Sequence, residues 1–380
     1  MDYESYRIQR EEKLEDLARQ IGISVEKLQE LNPQMETFKN FWGTETFVAV
    51  NQMIKVPIKI KKRSYGNENL DFDFIKSQEE REARLSEQEK FLRDLTFDQQ
   101  ARYRCEQVNI SKVNGNMVHF VEQKFQYLLK NNLDQKIGYV KLEEHLYNFS
   151  PPILNLSFEF ISKTEFIKNN VFFNISSDNG RIEKIIQRDQ LNKRWVDFRN
   201  KDFDTSDFIK RLQQTNTKAV EELKSLGDKQ FSIHNKQLEE EFRRNLFYFC
   251  CFDKFLLDIE NIPTEEFFFM STIVPPIIVP IQFRYDKISE ENNIFKLRKV
   301  GTLKLNPQLI KEIEKKYDEM HKPNIKYGFT EYKIEFRTRI EYNIKEKLVE
   351  TADVFIMEQI ADNIDNTCEF HLKRLQNFKP

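Results

Sequence analysis

The chain has 380 residues, of which 32% are charged and 39% are apolar, with 34 Phe and only 9 Gly. Its 60 Lys and Arg residues nearly balance 62 Asp and Glu residues, so the net charge is −2. This balance leaves no field of one sign to attract nucleic acid, and so few glycines leave little room for a phosphate-binding loop. A dedicated DNA-binding protein and a nucleotide enzyme are both disfavoured.

The first sixty residues have the pattern of a small strand–helix–helix–strand (βααβ) module. Tyr6-Arg7-Ile8 predicts a strand, and apolar residues then recur at helical spacing up to Gly22, a plausible helix end. Ser24 fits the N-cap of a second helix that ends at Asn32-Pro33. Met53–Pro57 predicts a closing strand that stops at proline.

This segment resembles the LysM family over residues 3–57, about one seventh of the chain. The matching positions are Tyr6, Ile8, Leu14, Leu17, Ala18, Gly22, Ile23, Ser24, Val25, Leu28, Asn32 and the closing Ile54-Lys55-Val56-Pro57. The resemblance implies a LysM-like module at residues 1–58 that binds N-acetylglucosamine-containing chains such as peptidoglycan or chitin.

The departures from the family bear on the binding groove. The Gly-Asp-Thr turn that borders the glycan groove in the family is replaced here by Glu11, Glu12 and Lys13. The connection from Gln34 to Val50 is longer than usual and contains Phe38, Phe41, Trp42 and Phe47. These aromatic residues form either a contact surface, with Phe41 and Trp42 at its centre, or a cap that packs on the module's own core. The candidate ligand-binding residues are Glu11, Glu12, Lys13, Asn32, Phe41 and Trp42.

Residues 59–100 have the composition of a charged linker. Lys59–Arg63 is basic, and Ser77–Lys90 is almost wholly charged, with opposite charges three and four residues apart. Such a pattern is typical of a solvated helix, although a partner-binding helix has the same pattern.

Residues 101–380 predict a large antiparallel sheet covered by helices. Lys333–Ile344 alternates between apolar and charged residues, as do the stretch from Leu154 to Phe160 and the stretch from Val279 to Tyr285. Asn114-Gly115 and Asp178-Asn179-Gly180 supply hairpin turns. The fold class is α+β, with the sheet curved or forming a half-barrel, and the number of cores is left open.

Helical spacing and one proline-rich run complete the large body. The helical positions are Leu191, Trp195 and Phe198; Ile209, Leu212, Ala219 and Leu223; and Leu238, Phe242, Leu246 and Phe249. Asn306-Pro307 predicts a further helix start. The run Ile273–Ile281 contains three prolines, which predicts an edge strand or a buried irregular crossover and argues against a central strand.

No pattern of catalytic or metal-binding residues stands out. The five histidines are scattered, and the four cysteines lack paired metal-ligand spacing and are expected to be buried structural thiols. Cys105 and His119 could approach each other across a hairpin but are more typical of a core. Glu143-Glu144 and Glu265-Glu266 are adjacent, and on strands they would point to opposite faces. We expect no catalytic residue, no metal and no cofactor, with a cryptic hydrolase as a second alternative.

These observations favour a non-enzymatic binding or assembly protein. The start Met1-Asp2-Tyr3-Glu4 lacks a secretory leader, and no window offers 18 continuous apolar residues, so we expect a cytoplasmic protein or one that is exported without a signal peptide. LysM-bearing parts of contractile injection machines, phage-tail-like or type VI, suggest contact with other protein subunits or with peptidoglycan. A peptidoglycan-binding protein is the alternative, and neither nucleic acid nor a membrane span is expected.

Overall fold

The structure is a computed structural model that describes residues 3–7, 12–21, 23–39, 46–48, 53–57, 95–151, 155–235, 237–260 and 262–375. The chain divides into two compact units, residues 1–71 and 72–380. Within the predicted linker, residues 59–94 lie outside the described part, including the charged stretch Ser77–Lys90. The first strand of the large unit begins at Gln99, two residues before the predicted boundary.

The first unit contains the predicted strand, helix, helix and strand. Its elements are β1 (Tyr3–Arg7), β2 (Glu12–Lys13), α1 (Leu14–Ile21), α2 (Val25–Leu31), β3 (Thr37–Lys39), β4 (Thr46–Val48) and β5 (Met53–Pro57). Strand β1 pairs with β5 antiparallel, and Ser24 caps α2 by accepting from the Lys27 backbone N–H. Strands β2, β4 and β3 form a second small sheet that the sequence analysis did not predict.

The second unit alternates long strands with a block of helices. Its elements are β6 (Gln99–Val113), β7 (Asn116–Asn132), β8 (Ile137–Ser150), α3 (Asn155–Lys168), β9 (Asn170–Ile175), β10 (Ile182–Ile185), α4 (Arg188–Lys201), α5 (Asp207–Thr215), α6 (Thr217–Gln230), α7 (Leu238–Arg244), α8 (Leu246–Cys251), β11 (Glu265–Met270), β12 (Ile278–Glu291), β13 (Ile294–Leu303), α9 (Pro307–Met320), α10 (Lys322–Ile325), β14 (Tyr332–Asn343), β15 (Leu348–Ile360) and β16 (Ile364–Leu375). The α+β class is confirmed.

Strands β6 to β16 form one open antiparallel sheet of eleven strands. Their order is β10-β9-β8-β7-β6-β16-β15-β14-β13-β12-β11, so β10 and β11 are its two edges. The hairpin turns are where the sequence predicts them: Asn114 and Gly115 have φ of 49° and 77°, and Gly180 has φ of 67°. Positive φ at these positions suits Asn and Gly, because other side chains clash with the backbone there.

Most of the predicted helices are present, but one predicted strand is wrong. The stretch from Leu154 to Phe160 was predicted to be a strand, whereas residues from Asn155 onward form α3. A short apolar run cannot distinguish strand from helix by spacing alone, and the run continues at helical spacing to the buried Ile167. Two predicted helical stretches are each divided in two, at Asn216 and Asn245, whose side chains cap α6 and α8.

The proline-rich run combines the predicted buried crossover with an unexpected strand. Ile273 and Val274 are buried in the connection between β11 and β12, as predicted. Pro280, however, lies inside β12, which is paired on both sides. The Pro280 carbonyl accepts from the Lys304 N–H, so the backbone of Pro280 faces the β13 side. Its missing N–H would have faced Lys304, which lies just beyond the end of β13, so no ladder bond is lost.

Aromatic side chains fill the core between the helices and the sheet. In α8, the Phe247 ring stacks on Tyr127 of β7 at 4.1 Å and lies 5.8 Å from Tyr103 of β6. Phe249, two residues later, lies 5.4–5.8 Å from three rings in the other half of the strand order: Phe267 of β11, Phe283 of β12 and Phe336 of β14. One short helix therefore contacts strands from both halves of the sheet.

Candidate functional site

In the first unit, the candidate ligand-binding residues are only partly visible. Glu11, Phe41 and Trp42 lie outside the described residues, and Glu12 and Lys13 form β2 opposite Val48 and Phe47. The predicted glycan role of all six residues stays a prediction, and so does the choice between contact surface and cap.

Asn32 joins the second helix of the module to its last strand. Its amide nitrogen donates to the Leu28 carbonyl at 3.0 Å and to the Lys55 carbonyl at 2.9 Å, and its side-chain oxygen accepts from Lys55 N–H. These bonds satisfy the end of α2 and fix β5 beside it. Asn32 therefore holds the module together, whatever else it contacts.

The structure separates one residue pair considered in the sequence, Cys105 with His119, and places the other, Glu143 with Glu144, on one face. His119 lies opposite Ser111, six residues along β6 from Cys105, so about 20 Å of strand separates the imidazole from the thiol. Glu143 and Glu144 were expected on opposite faces, but a bulge at this point of β8 places both on one face, where they pair with Arg102 and Arg104. Both carboxylates are thus neutralised by arginines.

The cysteines lie in the sheet and in α8, and all four are free thiols. Burial raises the pKa of Cys105, Cys250 and Cys251 well above the ordinary range, and raises the pKa of Cys368 to about 12. A raised pKa keeps the thiol protonated and therefore weakly nucleophilic. Cys105, Cys250 and Cys251 are buried, as predicted, whereas Cys368 is half-buried.

The arrangement that stands out is a cluster of charged side chains that links the two edges of the sheet. Arg181, in the turn before β10, donates to Asp253 at 3.1 Å and also pairs with Glu265, the first residue of β11. Lys299 of β13 lies 2.8 Å from Asp253 and 3.7 Å from Glu265, and Lys254 lies 3.5 Å from Glu265. We call these five residues the edge cluster.

Asp253 and Lys299 at the centre of the edge cluster are fully buried, whereas Arg181 and Lys254 are partly exposed. Asp253 also accepts hydrogen bonds from the Tyr285 hydroxyl at 3.0 Å and from the Lys254 N–H at 2.8 Å. The Lys299 ammonium lies 4.1 Å from the Phe249 ring centre and 4.5 Å from that of Phe283, in cation–π geometry. Burial alone would raise the pKa of Asp253, but Lys299 and Arg181 outweigh it and hold that pKa at about 2. Asp253 is therefore ionised throughout the physiological range.

A cleft of about 180 Å³, which Arg181 of the edge cluster helps to line, lies between the two edges. We call it the edge cleft, and it is lined by Ser176, Asn179, Arg181, Glu183, Glu240, Arg243, Arg244, Glu266, Phe267 and Phe268. Beside it, Phe268, Met270 and Ile278 are 41–54% exposed. Met270 lies opposite Ile278 across the β11–β12 pair, so these side chains share one face.

The two edges differ in how their backbones are covered. On β10, the Ile185 N–H donates to Glu239 and the Ile182 carbonyl accepts from Arg243, both residues of α7. Among the described strands, β11 pairs with β12 alone. Helix α7 therefore occupies one edge of the sheet, and the other edge faces the cleft.

Sequence reasoning missed this site, although one signal was available. In β13, Phe295, Leu297 and Lys299 alternate onto the buried face, so Lys299 occupies a position that the strand pattern reserves for apolar residues. A lysine there requires a buried acid, since an unpaired buried charge is very costly. That acid is Asp253, which lies 46 residues away in the sequence, so the strand pattern could not identify it.

Comparison with known proteins adds little to this description. No family model matches the chain, and no curated protein matches it. A solved structure described as "Lipid-protein interactions in lipovitellin" is 10% identical with a TM-score of 0.35, over 76% of this chain. The match spans 26% of that structure, about a quarter of its length, and at this TM-score it carries no argument about function. None of the described helices is long and apolar enough to cross a membrane.

Proposed function

We propose that the chain is a non-enzymatic binding or assembly protein that holds a partner at the β11 edge of its large unit. The observation that carries this proposal is the contrast between the edges: β10 is covered by α7, whereas β11 presents Phe268 and Met270 beside the edge cleft. Exposed apolar side chains on an edge strand are a liability that a free protein avoids and a partner would cover.

We infer that the sheet is curved into a half-barrel around α8. Seven steps of the strand order separate β7 from β11, or about 34 Å in a flat sheet. Helix α8 has six residues and is about 9 Å long, yet Phe247 and Phe249 contact both strands. Curvature brings the edges within reach of the Arg181–Glu265 ion pair, and so creates the cleft.

The LysM-like module is proposed as a second contact point, for protein subunits or for peptidoglycan. Its support is the resemblance of residues 3–57 and the strand–helix–helix–strand order that Asn32 ties together. Membership of a contractile injection machine, phage-tail-like or type VI, rests on that resemblance alone. The four free thiols suit a reducing compartment such as the cytoplasm.

Site-specific photocrosslinking tests the docking proposal. A benzophenone amino acid in place of Phe268 is expected to give one discrete adduct in cells, which mass spectrometry identifies and purified components reproduce. The matched control places the same group at Arg337, on the exposed polar side of β14. Equal adducts from both positions, or none from Phe268, would remove the β11 edge as the docking surface.

A pulldown on peptidoglycan sacculi tests the module separately. Saturable binding of the full chain that is lost in a Phe41→Ala, Trp42→Ala double variant would support glycan contact through the aromatic insertion. Absence of binding by the intact chain would leave protein contact as the role of the module.

A further inference from the structure

We propose that the partner at the β11 edge is an extended polypeptide segment that adds to the sheet as a further antiparallel strand. The inference rests on the proposed docking function and specifies its chemistry. In strand addition, backbone hydrogen bonds supply affinity and pockets for alternate side chains supply specificity.

The β11 backbone is oriented for this role. The Ser271 N–H bonds to the Ile277 carbonyl on the β12 side, whereas the Pro280 carbonyl, opposite Phe268, bonds to Lys304 on the β13 side. In antiparallel pairs the residues that face the partner strand alternate with those that face away. The N–H and C=O groups of Glu266, Phe268 and Met270 therefore point out of the sheet edge.

The same three residues have the exposed side chains. The burial of β11 alternates, with Glu266, Phe268 and Met270 exposed and Phe267 buried. Among the residues that the structure describes, no hydrogen bond to their outward backbone groups is present. An added strand would satisfy these groups and cover Phe268 and Met270 with its own alternate side chains.

The surroundings select one extended chain as the occupant. The Arg181–Glu265 ion pair joins the edges at one end of β11, and α7 forms the opposite wall of the cleft. A six-residue strand is about 20 Å long and offers an edge face of roughly 200 Å². A stable dimer buries about 800 Å² on each partner, so a second copy paired through β11 alone falls short of that area.

Charge on the cleft walls narrows the class of segment. Arg243 pairs with Glu240, whereas within the described ranges Arg244 on the helix wall and Glu266 on the strand wall form no ion pair. A matching segment carries an apolar residue beside Phe268, a basic residue beside Glu266 and an acidic residue toward Arg244. The pairs with Phe268 and Glu266 are favourable cross-strand pairs, and the pair with Arg244 is a charge contact from the helix wall.

The test uses the full chain and random peptides of about ten residues, a length that covers the strand. Peptides selected by phage display are expected to alternate apolar and polar residues. Each recovered peptide is then made with N-methyl groups on one set of alternate amides or on the other. One set is expected to lower affinity about tenfold or more and the other to leave it unchanged, because only one set faces β11.

Hydrogen exchange and two variants complete the test. Bound peptide should slow exchange of the Glu266, Phe268 and Met270 amides about tenfold or more, with Phe267 and Phe269 already slow. Phe268→Pro, which removes an outward N–H, should abolish binding, whereas Phe268→Thr keeps the N–H and should only weaken it. Equal effects of the two N-methyl sets, the absence of any selected peptide, or a dimer that protects the same amides would overturn strand addition. A specific photoadduct at Phe268 alongside any of these outcomes would leave the docking function standing.

Discussion

The ammonium group of Lys299 lies 2.8 Å from Asp253 Oδ2, and neither side chain has any exposed surface. Asp253 also binds Arg181, from the opposite end of the strand order. The Asp253 carboxylate, in the connection between α8 and β11, therefore binds residues from both halves of the sheet. Its position explains why three cations and two carboxylates lie close together.

Loss of the Asp253 charge should be the most damaging change in the edge cluster. Asp253→Asn leaves Arg181, Lys254 and Lys299 facing Glu265 alone, and should lower the free energy of unfolding by about 3–5 kcal/mol, measured by urea denaturation. Lys299→Met removes one of three cations that face two carboxylates, so it should lower the free energy of unfolding by less. Equal losses in the two variants would show that Asp253 is not the centre of the cluster.

A double variant measures the interaction energy between Asp253 and Lys299. Asp253→Asn combined with Lys299→Met should lose less stability than the sum of the single changes, because the side chains are in contact. A matched pair on the surface, Lys296 and Glu341, should show near-additive losses, since exposed ion pairs contribute little.

His145 should make the protein sensitive to mild acid. Burial against Phe125 lowers the pKa of His145 to about 4, below the value near 6.5 in an unfolded chain. Between those values the unfolded chain takes up a proton that the folded chain refuses, so stability falls as the pH falls, by up to about 1.4 kcal/mol per pH unit. In His145→Phe this part of the slope should disappear from urea titrations, whereas His371→Gln, at an exposed site, should retain it.

Gly227 should resist replacement although it lies in a helix. A Cβ there would stand 2.0 Å from Cζ2 of the buried Trp195 ring. Alanine would improve helix propensity by about 1 kcal/mol, but displacing the indole should cost about 1–3 kcal/mol or more, so the melting temperature should fall. Gly328→Ala, which meets no atom within 4 Å, serves as the control. An unchanged melting temperature in Gly227→Ala would mean that the Trp195 side chain moves aside at little cost in stability.

The buried carboxylate of Glu358 should depend on its hydroxyl donors. It accepts from Ser271, from the Thr272 hydroxyl and backbone N–H, and from Tyr332 at 2.7 Å. Tyr332→Phe removes one donor to a buried charge and should cost about 1.5–3 kcal/mol in urea denaturation. Thr330→Val, which loses a hydroxyl bond to a backbone carbonyl at an exposed position, should cost less.

Local signals predicted most of the elements. Alternation identified β14 and half of β12, the Asn-Gly and Asp-Asn-Gly turns marked two hairpins, and Ser24 and Asn306 marked helix starts. Each signal acts within a few residues, where side-chain period, capping and positive φ decide conformation. The same locality explains the error at α3: four alternate apolar residues fit the strand period, whereas contacts with distant rings, such as those of Phe160 with Phe198 and Phe203, belong to the tertiary structure.

The sequence by itself determined the α+β class, the antiparallel strands and the strand–helix–helix–strand order of the first unit. Only the tertiary structure decided that β6 pairs with β16, that Glu143 and Glu144 share one face, and that Arg181 meets Glu265 across the two sheet edges. These relations join residues far apart in the chain, so they depend on strand register, a bulge and the packing of the whole sheet. No local pattern encodes those features, because the pairing energy of any one strand is similar for many partners until the complete core selects one arrangement.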